Sequence, residues 1–388
     1  MDTRHLVALI VLVYATLLSS HSALAQFSQQ GTKLVGSGAV GISRQGLSVS
    51  LSADGNTAIV GGPADNSEAG AAWVWTRSGG IWTQQGTKLV GSAAVGAAGQ
   101  GSFVSLSADG NTAIVGGPTD NGAAGVAWVW TRSGGIWTQQ GTKLVGSGAV
   151  GPAFQGWSVS LSADGNTAIV GGFRDNSNVG AAWVWTRSGG VWTQQGSKLV
   201  GSGAVGGANQ GYSVALSAEG NTAIVGGDND NSQAGAAWVW TRSGGVWTQQ
   251  GTKLVGSGAV GTAFQGGAVS LSADGNTAIV GGRRDNTDAG AAWIWTRSGG
   301  VWAQQGTKLV GSGGVGTAFQ GHSVSLSADG NTAIVGGPLD NAGAAWVWTR
   351  SGGIWTQQGP KLIGSGAVGT AGQGASVSLS ADGNTAIV

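Results

Sequence analysis

Only a few side chains in this sequence are of types that could carry out catalysis. His322 is the one histidine after residue 25, and the chain has no cysteine. A nucleophilic Ser-His-Asp or Cys-His system needs a positioned base or a thiol. The positions that correspond to His322 in the other copies of an internal repeat hold Leu, Ser, Trp, Tyr, Gly and Ala. Because no chemistry shared by the copies can depend on this histidine, the sequence predicts no catalytic residues and no enzyme activity.

Aspartate followed by asparagine recurs in one loop of the repeat. The six aspartates are Asp65, Asp120, Asp175, Asp230, Asp285 and Asp340. They could form a ring of carboxylates, but Asp and Asn in loops usually hydrogen-bond their own backbone, which favours a structural role. The stretch "DNDNS" at 228 to 232 has oxygen donors at alternate positions but lacks the glycine and the distant glutamate of a calcium loop. We therefore predict neither a metal site nor a cofactor, and no glycosidase-type carboxylate pair stands apart.

The N-terminus has the features of a secretory signal peptide. A short polar start precedes an apolar run from Leu6 to Leu18 and a small-residue ending at Ala25. Such a run is short for a bilayer span, so we predict cleavage after Ala25 and no membrane insertion afterwards. The domain at 26–388 would then be secreted, or lie at the cell surface or in the periplasm.

Composition and charge exclude some classes of partner. The chain has 18 Lys and Arg against 17 Asp and Glu, a net charge of +1, so no electrostatic surface for nucleic acid or an anionic membrane is expected. Glycine reaches 77 residues, which could indicate disorder, but 19 tryptophans favour a packed core. We expect a protein or glycan ligand if the chain binds one.

The elements that must position these residues come from a repeat. The string QQGTKL or a near copy begins at residues 29, 84, 139, 194, 249, 304 and 357, a period of 55 residues with one step of 53. Periods of this size are typical of solenoids, propellers and arrays of small units. The seven copies therefore form one domain.

Each repeat contains four short strand signals. "SVSLS" ends in a turn with Asp-Gly, a strong hairpin signal, and "TAIVGG", "AAWVWTR" and "IWTQQGTKL" follow. In the third strand, Trp73 and Trp75 share one face, whereas Ala72 and Val74 share the other. No segment has an apolar helical period with caps. The chain is therefore predicted to be all-β, and four antiparallel strands per unit are typical of a propeller blade.

The stretch "FQGHSVSLSADGNTAIVGG", with the following Asp-Asn loop, "GAAWVWTRSGG" and "WTQQGTKL", resembles the FG-GAP repeats of seven-bladed integrin-α-like propellers, in their bacterial secreted subtype. The Phe-Gly pair stands here as Phe-Gln-Gly or Gln-Gly, and Gly-Ala-Pro as Gly-Gly-Pro in three copies. The resemblance implies calcium in the loop between the first two strands. That loop, "SADGNT", has one carboxylate and too few oxygens, so calcium is not carried over.

The strand signals are not equally numerous. The first, second and fourth strands occur seven times, but the third occurs only six times. We predict a seven-bladed propeller whose last blade is incomplete, with the fourth strand near Phe27 completing it. The chain stops in mid-repeat, and we expect it to be a fragment that lacks at least a segment equivalent to Gly336 to Trp355.

Sequence differences between the copies concentrate at two places. One is the position after Gln-Gly, and the other is the pair after the Gly-Gly of the second strand. Antiparallel strand order puts both at the same end of every blade, which we call the variable face. The candidate ligand-binding residues there are Trp157, Phe173, Arg174, Tyr212, Arg283, Arg284 and His322.

Two interpretations of the variable face stay open. Diverse residues on a common frame are typical of a recognition surface, but duplicated blades also drift fastest in exposed loops. We predict an exported, non-catalytic propeller that binds or scaffolds protein or surface ligands through this face. The alternative is a multivalent carbohydrate-binding lectin that uses aromatic residues, and the third class is a hydrolase or quinone-dependent propeller enzyme.

Overall fold

The computed structural model describes residues 27–388 and is built almost entirely of short antiparallel strands. The predicted signal peptide, 1–25, lies outside the described residues. Six four-stranded sheets have their strands in sequence order, each strand paired with the one before it. The predicted all-β propeller of four-stranded antiparallel blades is confirmed.

The first three blades have the following strands. Blade 1 contains β1 (Ser48–Leu51), β2 (Thr57–Gly62), β3 (Ala71–Ser78) and β4 (Ile81–Gln84). Blade 2 contains β5 (Val104–Leu106), β6 (Thr112–Gly117), β7 (Val126–Ser133) and β8 (Ile136–Gln139). Blade 3 contains β9 (Ser158–Leu161), β10 (Thr167–Gly172), β11 (Ala181–Ser188) and β12 (Val191–Gln194).

The next three blades repeat this pattern. Blade 4 contains β13 (Ser213–Leu216), β14 (Thr222–Gly227), β15 (Ala236–Ser243) and β16 (Val246–Gln249). Blade 5 contains β17 (Gln265–Leu271), β18 (Thr277–Gly282), β19 (Ala291–Ser298) and β20 (Val301–Gln304). Blade 6 contains β21 (Ser323–Leu326), β22 (Thr332–Gly337), β23 (Ala344–Ser351) and β24 (Ile354–Gln357).

The prediction of seven blades is wrong in its count, because the described residues form six. The seventh repeat supplies only a two-stranded sheet, β25 (Ser378–Leu379) paired with β26 (Ala386–Ile387), between blade 6 and blade 1. Among residues 27–388, no third strand pairs with this sheet. Gln29 lies in the place of a fourth strand, where its side-chain Oε1 accepts a hydrogen bond from the backbone N–H of Ser365, as Gln84 does for Ser37.

The ring closes through backbone hydrogen bonds at one end of its axis. The alanine after each first strand donates its N–H to the carbonyl of the equivalent alanine in the next repeat, at 2.8 to 2.9 Å, and the last bond runs from Ala381 back to Ala53. The seven alanines are Ala53, Ala108, Ala163, Ala218, Ala273, Ala328 and Ala381. First strands are therefore innermost, and the predicted variable face lies at the opposite end.

Tryptophan packing fills the space within and between blades. Trp183 in the third strand of blade 3 is fully buried and donates its indole N–H to the carbonyl of Ser147 at 2.8 Å. An ideal Cβ on Gly146 would lie only 2.3 Å from its ring. The same arrangement recurs in all six blades, which explains why this position is glycine in their repeats.

An arginine near the end of each third strand ties its blade to the preceding one. Arg132 of blade 2 donates to Asn111 of its own blade at 2.9 Å, and to Gln85 at 3.0 Å and Thr57 at 3.3 Å in blade 1. Its guanidinium also lies over the ring of Trp137, 5.4 Å from the centroid. Fixed polar partners on both sides hold the angle between neighbouring blades.

Five four-residue segments connect second to third strands: α1 (Asp65–Glu68), α2 (Asp120–Ala123), α3 (Asp175–Asn178), α4 (Asp230–Gln233) and α5 (Asp285–Asp288). They contain residues with positive φ, such as Asn176 at 51°, so they are tight turns rather than regular helices. No helix among residues 27–388 has the length and apolar character needed to span a membrane.

Substitution of Gly146 tests the packing within the blades. We expect Gly146→Ala to lower the free energy of unfolding by about 1–3 kcal/mol, because a methyl group must displace the buried Trp183 ring. Gly364→Ala is the matched control, since Gly364 occupies the same repeat position but faces the flexible end of Gln373 instead of a tryptophan. Urea unfolding followed by tryptophan fluorescence measures both. Equal losses in the two variants would contradict this packing account.

Candidate functional site

The sequence-predicted site residues lie on one sector of the variable face. Each blade contributes the residue before its first strand and the residues after its second strand, which antiparallel pairing brings to the same end. Blades 3 to 6 carry bulky or charged residues at these positions, whereas blades 1 and 2 carry Pro, Ala, Thr, Leu and Ser. We define the mouth cluster as Trp157, Phe173, Tyr212, Asp228, Arg283 and His322.

Aromatic rings form one half of the mouth cluster. Trp157 and Phe173 of blade 3 have ring centroids 4.6 Å apart, and Tyr212 of blade 4 lies 5.6 Å from Trp157 and 5.5 Å from Phe173. Phe103 of blade 2 extends the contact, 5.8 Å from Trp157. Phe103 was not among the predicted residues, although its place in "SFVSLS" breaks the serine pattern of the other copies. Three blades thus share one continuous aromatic wall.

A buried ion pair forms the other half of the mouth cluster. Arg283 of blade 5 donates to a carboxylate oxygen of Asp228 in blade 4 at 3.0 Å, and their side chains are 16% and 4% exposed. The guanidinium lies 5.4 Å from the Tyr212 ring centroid and 5.2 Å from that of Phe264. Asp228 and Arg283 occupy the same position of consecutive repeats, a signal that could have identified the pair.

Gly267 gives Arg283 the space to reach inward. An ideal Cβ on Gly267 would lie 2.5 Å from Nη1 of Arg283. The equivalent position in blades 3, 4 and 6 carries Trp157, Tyr212 and His322. The glycine and the arginine are therefore complementary, and a side chain at 267 would have to displace the guanidinium.

The His322 side chain is exposed on the variable face, yet neighbouring groups affect its titration. Desolvation by the neighbouring residues and the positive charge of Arg283 lower the pKa of His322 from 6.5 to about 4. The imidazole is therefore neutral at pH 7 and can accept a proton. Burial raises the pKa of Tyr212, so its hydroxyl keeps its proton at neutral pH.

Arg174 and Arg284 lie beside the mouth cluster. Arg174 is over the rings of Phe154 and Phe173, 5.1 and 5.4 Å from their centroids. Arg284 is over Phe264 at 5.0 Å and reaches Phe319 of the next blade at 5.9 Å. Both arginines are exposed, and both stand second after the Gly-Gly of their blade.

The repeated loop aspartates are structural. The carboxylate of Asp120 is fully buried, accepts a hydrogen bond from the backbone N–H of Val95 at 2.7 Å and forms an ion pair with Lys143 at 2.6 Å. Equivalent pairs recur in all six blades. The structural role of these aspartates was predicted from the sequence, but their pairing with the lysine of the QQGTKL string was not.

The oxygen atoms of the calcium-like stretch are also occupied. Asp228 binds Arg283, and Asp230 binds Lys253 and the backbone N–H of Val205. Within the part of the chain that the structure describes, no three His, Asp or Glu side chains converge in a way that could hold a metal ion. The candidate site consists of aromatic rings, one buried ion pair, one neutral imidazole and two flanking cations.

Comparisons with known proteins give structural neighbours only. No protein-family model matches the chain, and no curated protein matches its sequence. A solved structure of a proposed 6-phosphogluconolactonase from Bacteroides uniformis ATCC 8492 is similar, with a TM-score of 0.58 and 13% identity over 82% of this chain and 85% of that one. A solved structure of a proposed 6-phosphogluconolactonase from Bacteroides fragilis NCTC 9343 has a TM-score of 0.57 and 12% identity over 82% of this chain and 84% of that one.

These neighbours correct the functional prediction. The prediction of a non-catalytic binding or scaffold module, with a lectin as alternative, is contradicted because the similar solved propellers are named as enzymes. At this identity the likeness shows the fold alone. The chain is a β-propeller of six four-stranded antiparallel blades, with solved structures named as proposed 6-phosphogluconolactonases among its structural neighbours.

The titration of His322 predicts a pH dependence of stability. Between pH 6.5 and about 4 the unfolded chain binds a proton that folded His322 does not, so the free energy of unfolding falls as the pH drops through this window. The contribution is fully present above 6.5 and absent below 4. The pKa values of aspartates such as Asp54 are lowered, so their contribution to the free energy of unfolding is lost only below pH 3.8.

We expect His322→Ser, which copies Ser102 of blade 2, to remove this part of the pH dependence. Urea unfolding of the parent and the variant across the same pH range measures the effect. Parallel curves of unfolding free energy against pH for the two proteins would contradict a depressed pKa at His322.

Proposed function

We propose that this chain is an enzyme-like propeller whose mouth cluster hydrolyses the lactone or ester bond of a small phosphorylated sugar acid. The observation that carries the proposal is that the variable face holds an imidazole, His322, whose pKa is lowered by the charge of Arg283, and that Asp228 fixes the Arg283 guanidinium at 3.0 Å. The similar solved propellers, named as proposed 6-phosphogluconolactonases, supply the substrate class. Lactone hydrolysis needs a proton acceptor for water and a positive group near the carbonyl oxygen, which these two side chains can provide.

Arg283 is suited to stabilise developing negative charge. Its guanidinium is largely removed from solvent, is held by Asp228 and lies near the rings of Tyr212 and Phe264. A group fixed in this way does not need to reorganise when charge develops on the substrate. We assign Arg283 to the carbonyl oxygen of the substrate, which becomes an oxyanion when water adds.

His322 is assigned as the proton acceptor. In the first step, water adds to the carbonyl carbon while one of its protons passes to the neutral imidazole. In the second step, the bond between the carbonyl carbon and the ring oxygen breaks, and the imidazolium returns the proton to the leaving oxygen. The products are a hydroxyl group and a carboxylic acid, so atoms and charges balance without an oxidant or reductant.

The negative charge of such a substrate also improves the base. A neighbouring anion favours the protonated form of an imidazole and raises its pKa. From a starting value of about 4, a rise brings His322 closer to the working pH, where general bases are most effective. The substrate charge and the Arg283 charge therefore have opposite effects on His322.

Other expectations remain proposals. Membership of the FG-GAP family rests on the order of the repeated strings alone. Export rests on residues 1–25, and the variable face as a ligand site rests on the residues that converge there. The proposed hydrolysis depends neither on membership of the FG-GAP family nor on export.

A direct assay tests the proposal. The purified full chain is mixed with 6-phosphogluconolactone, and acid release is followed above the spontaneous rate. We expect a protein-dependent rate that falls about 10²–10⁴-fold in His322→Gln and about 10²–10³-fold in Arg283→Gln. Leu339→Ala is the matched control, because it changes an exposed loop residue of blade 6 outside the mouth cluster and should leave the rate unchanged.

A second variant separates chemistry from folding. Arg283→Gln leaves the buried Asp228 carboxylate unpaired, which can destabilise the fold. The double variant with Asp228→Asn and Arg283→Gln removes both charges and should fold but remain inactive. A parent protein with no rate above background, on the phosphorylated or the unphosphorylated lactone, would refute the proposal.

A further inference from the structure

Arg174 differs from the residues at the equivalent position of the other blades. The others are Ala64, Thr119, Asn229, Arg284 and Leu339. Thr119 and Asn229 bond backbone carbonyls, and Arg284 lies 3.9 Å from the carboxylate of Asp288. Within residues 27–388, no carboxylate lies within 4 Å of the Arg174 guanidinium, which has no hydrogen bond to another described residue. Arg174 is therefore a cation without an internal counter-ion.

Two aromatic rings hold Arg174 in place. Its guanidinium lies 5.1 Å from the Phe154 centroid and 5.4 Å from that of Phe173, and the two rings are 5.6 Å apart. Such contacts orient the planar group and remove part of its hydration while leaving the N–H groups available. An arginine prepared in this way loses less freedom when it binds an anion than a mobile surface arginine does.

The backbone conformation at Phe154 is unfavourable for a residue with a side chain. Its φ is 58°, in the left-handed region that side chains with a Cβ disfavour. Blades 2 and 4 and the seventh repeat place Gly99, Asn209 and Gly372 at this corner, residue types that accept this conformation more readily. Phenylalanine nevertheless stands at this corner in blades 3, 5 and 6, as Phe154, Phe264 and Phe319, and the ring of Phe154 is one of the two beneath Arg174.

We propose that Arg174, oriented by Phe154 and Phe173, binds the phosphate of the substrate. The inference rests on the proposed function and specifies which residue gives preference for a phosphorylated substrate. A guanidinium matches phosphate oxygens with two parallel N–H bonds. Phe173 also contacts Tyr212 at 5.5 Å, and Tyr212 contacts Arg283 at 5.4 Å, so one wall joins the phosphate subsite to the hydrolytic residues.

Kinetics on two substrates tests the inference. For 6-phosphogluconolactone, we expect Arg174→Gln to raise KM about 10- to 100-fold with kcat nearly unchanged, because a charged hydrogen-bond pair is lost without loss of the hydrolytic residues. For unphosphorylated gluconolactone, the variant should match the parent. Arg284→Gln is the matched control, since that arginine already has Asp288 beside it and should change KM much less.

A binding titration keeps the inference separate from the proposed function. The parent, Arg174→Gln and Phe154→Asn are titrated with 6-phosphogluconate and with gluconate, followed by tryptophan fluorescence. We expect tighter binding of the phosphorylated acid only in the parent, with Phe154→Asn folded as stably as the parent. If the parent lacks turnover but shows this preference, the hydrolysis fails and the phosphate subsite stands.

The opposite results would overturn the inference. An active parent with equal KM values for both lactones, or Arg174→Gln with the KM of the parent, would leave the hydrolysis intact and remove Arg174 as the phosphate residue. In the titration, equal affinity of the parent for 6-phosphogluconate and gluconate, or no binding of either, would likewise remove Arg174 as the phosphate residue. Loss of phosphate preference in Arg284→Gln instead would transfer the role to blade 5.

Discussion

The whole structure depends on the ring of backbone hydrogen bonds that joins the hairpin turns around the axis. Each repeat has apolar residues on both faces of its sheet, and no repeat can bury them alone. Closure from Ala381 back to Ala53 gives every blade two neighbours. The buried tryptophans and the arginines that bridge neighbouring blades then repeat with nearly identical distances, so the frame leaves little freedom for local change.

This rigid repetition explains where the blades differ in sequence. Residues within the sheets must meet an equivalent surface in every blade, whereas residues at the variable face meet only their nearest neighbours and solvent. Gly267 and Arg283 illustrate the consequence, because Gly267 has no side chain where the Arg283 guanidinium needs space. Asp228, Tyr212 and Phe173 join the same contact from two further blades. The asymmetric sector in blades 3 to 6 is a single connected unit built from four copies.

Much of the fold could be predicted from the period and the strand signals, and the variable face followed from antiparallel order. The equivalent positions of Asp228 and Arg283 in consecutive repeats were a signal of their pairing, but the space that Gly267 leaves for the guanidinium could not be predicted, because it depends on how closely the side chains approach at the mouth. The count of seven blades was wrong because the seventh repeat supplies two strands rather than four. We predicted no catalysis because His322 does not recur at the equivalent position of the other repeats. A propeller site combines single residues from several blades, so a histidine present once is no evidence against catalysis.

We propose that the mouth cluster is the site of anion binding and hydrolysis. The most direct test is the pKa of His322 in the free and in the ligand-bound protein. Proton NMR of the full chain, with His322→Ser used to assign the imidazole signal, measures this pKa with and without 6-phosphogluconate. The account predicts a rise from about 4 towards 6.5 when the acid binds beside Arg283. An unchanged pKa at saturating 6-phosphogluconate would contradict it.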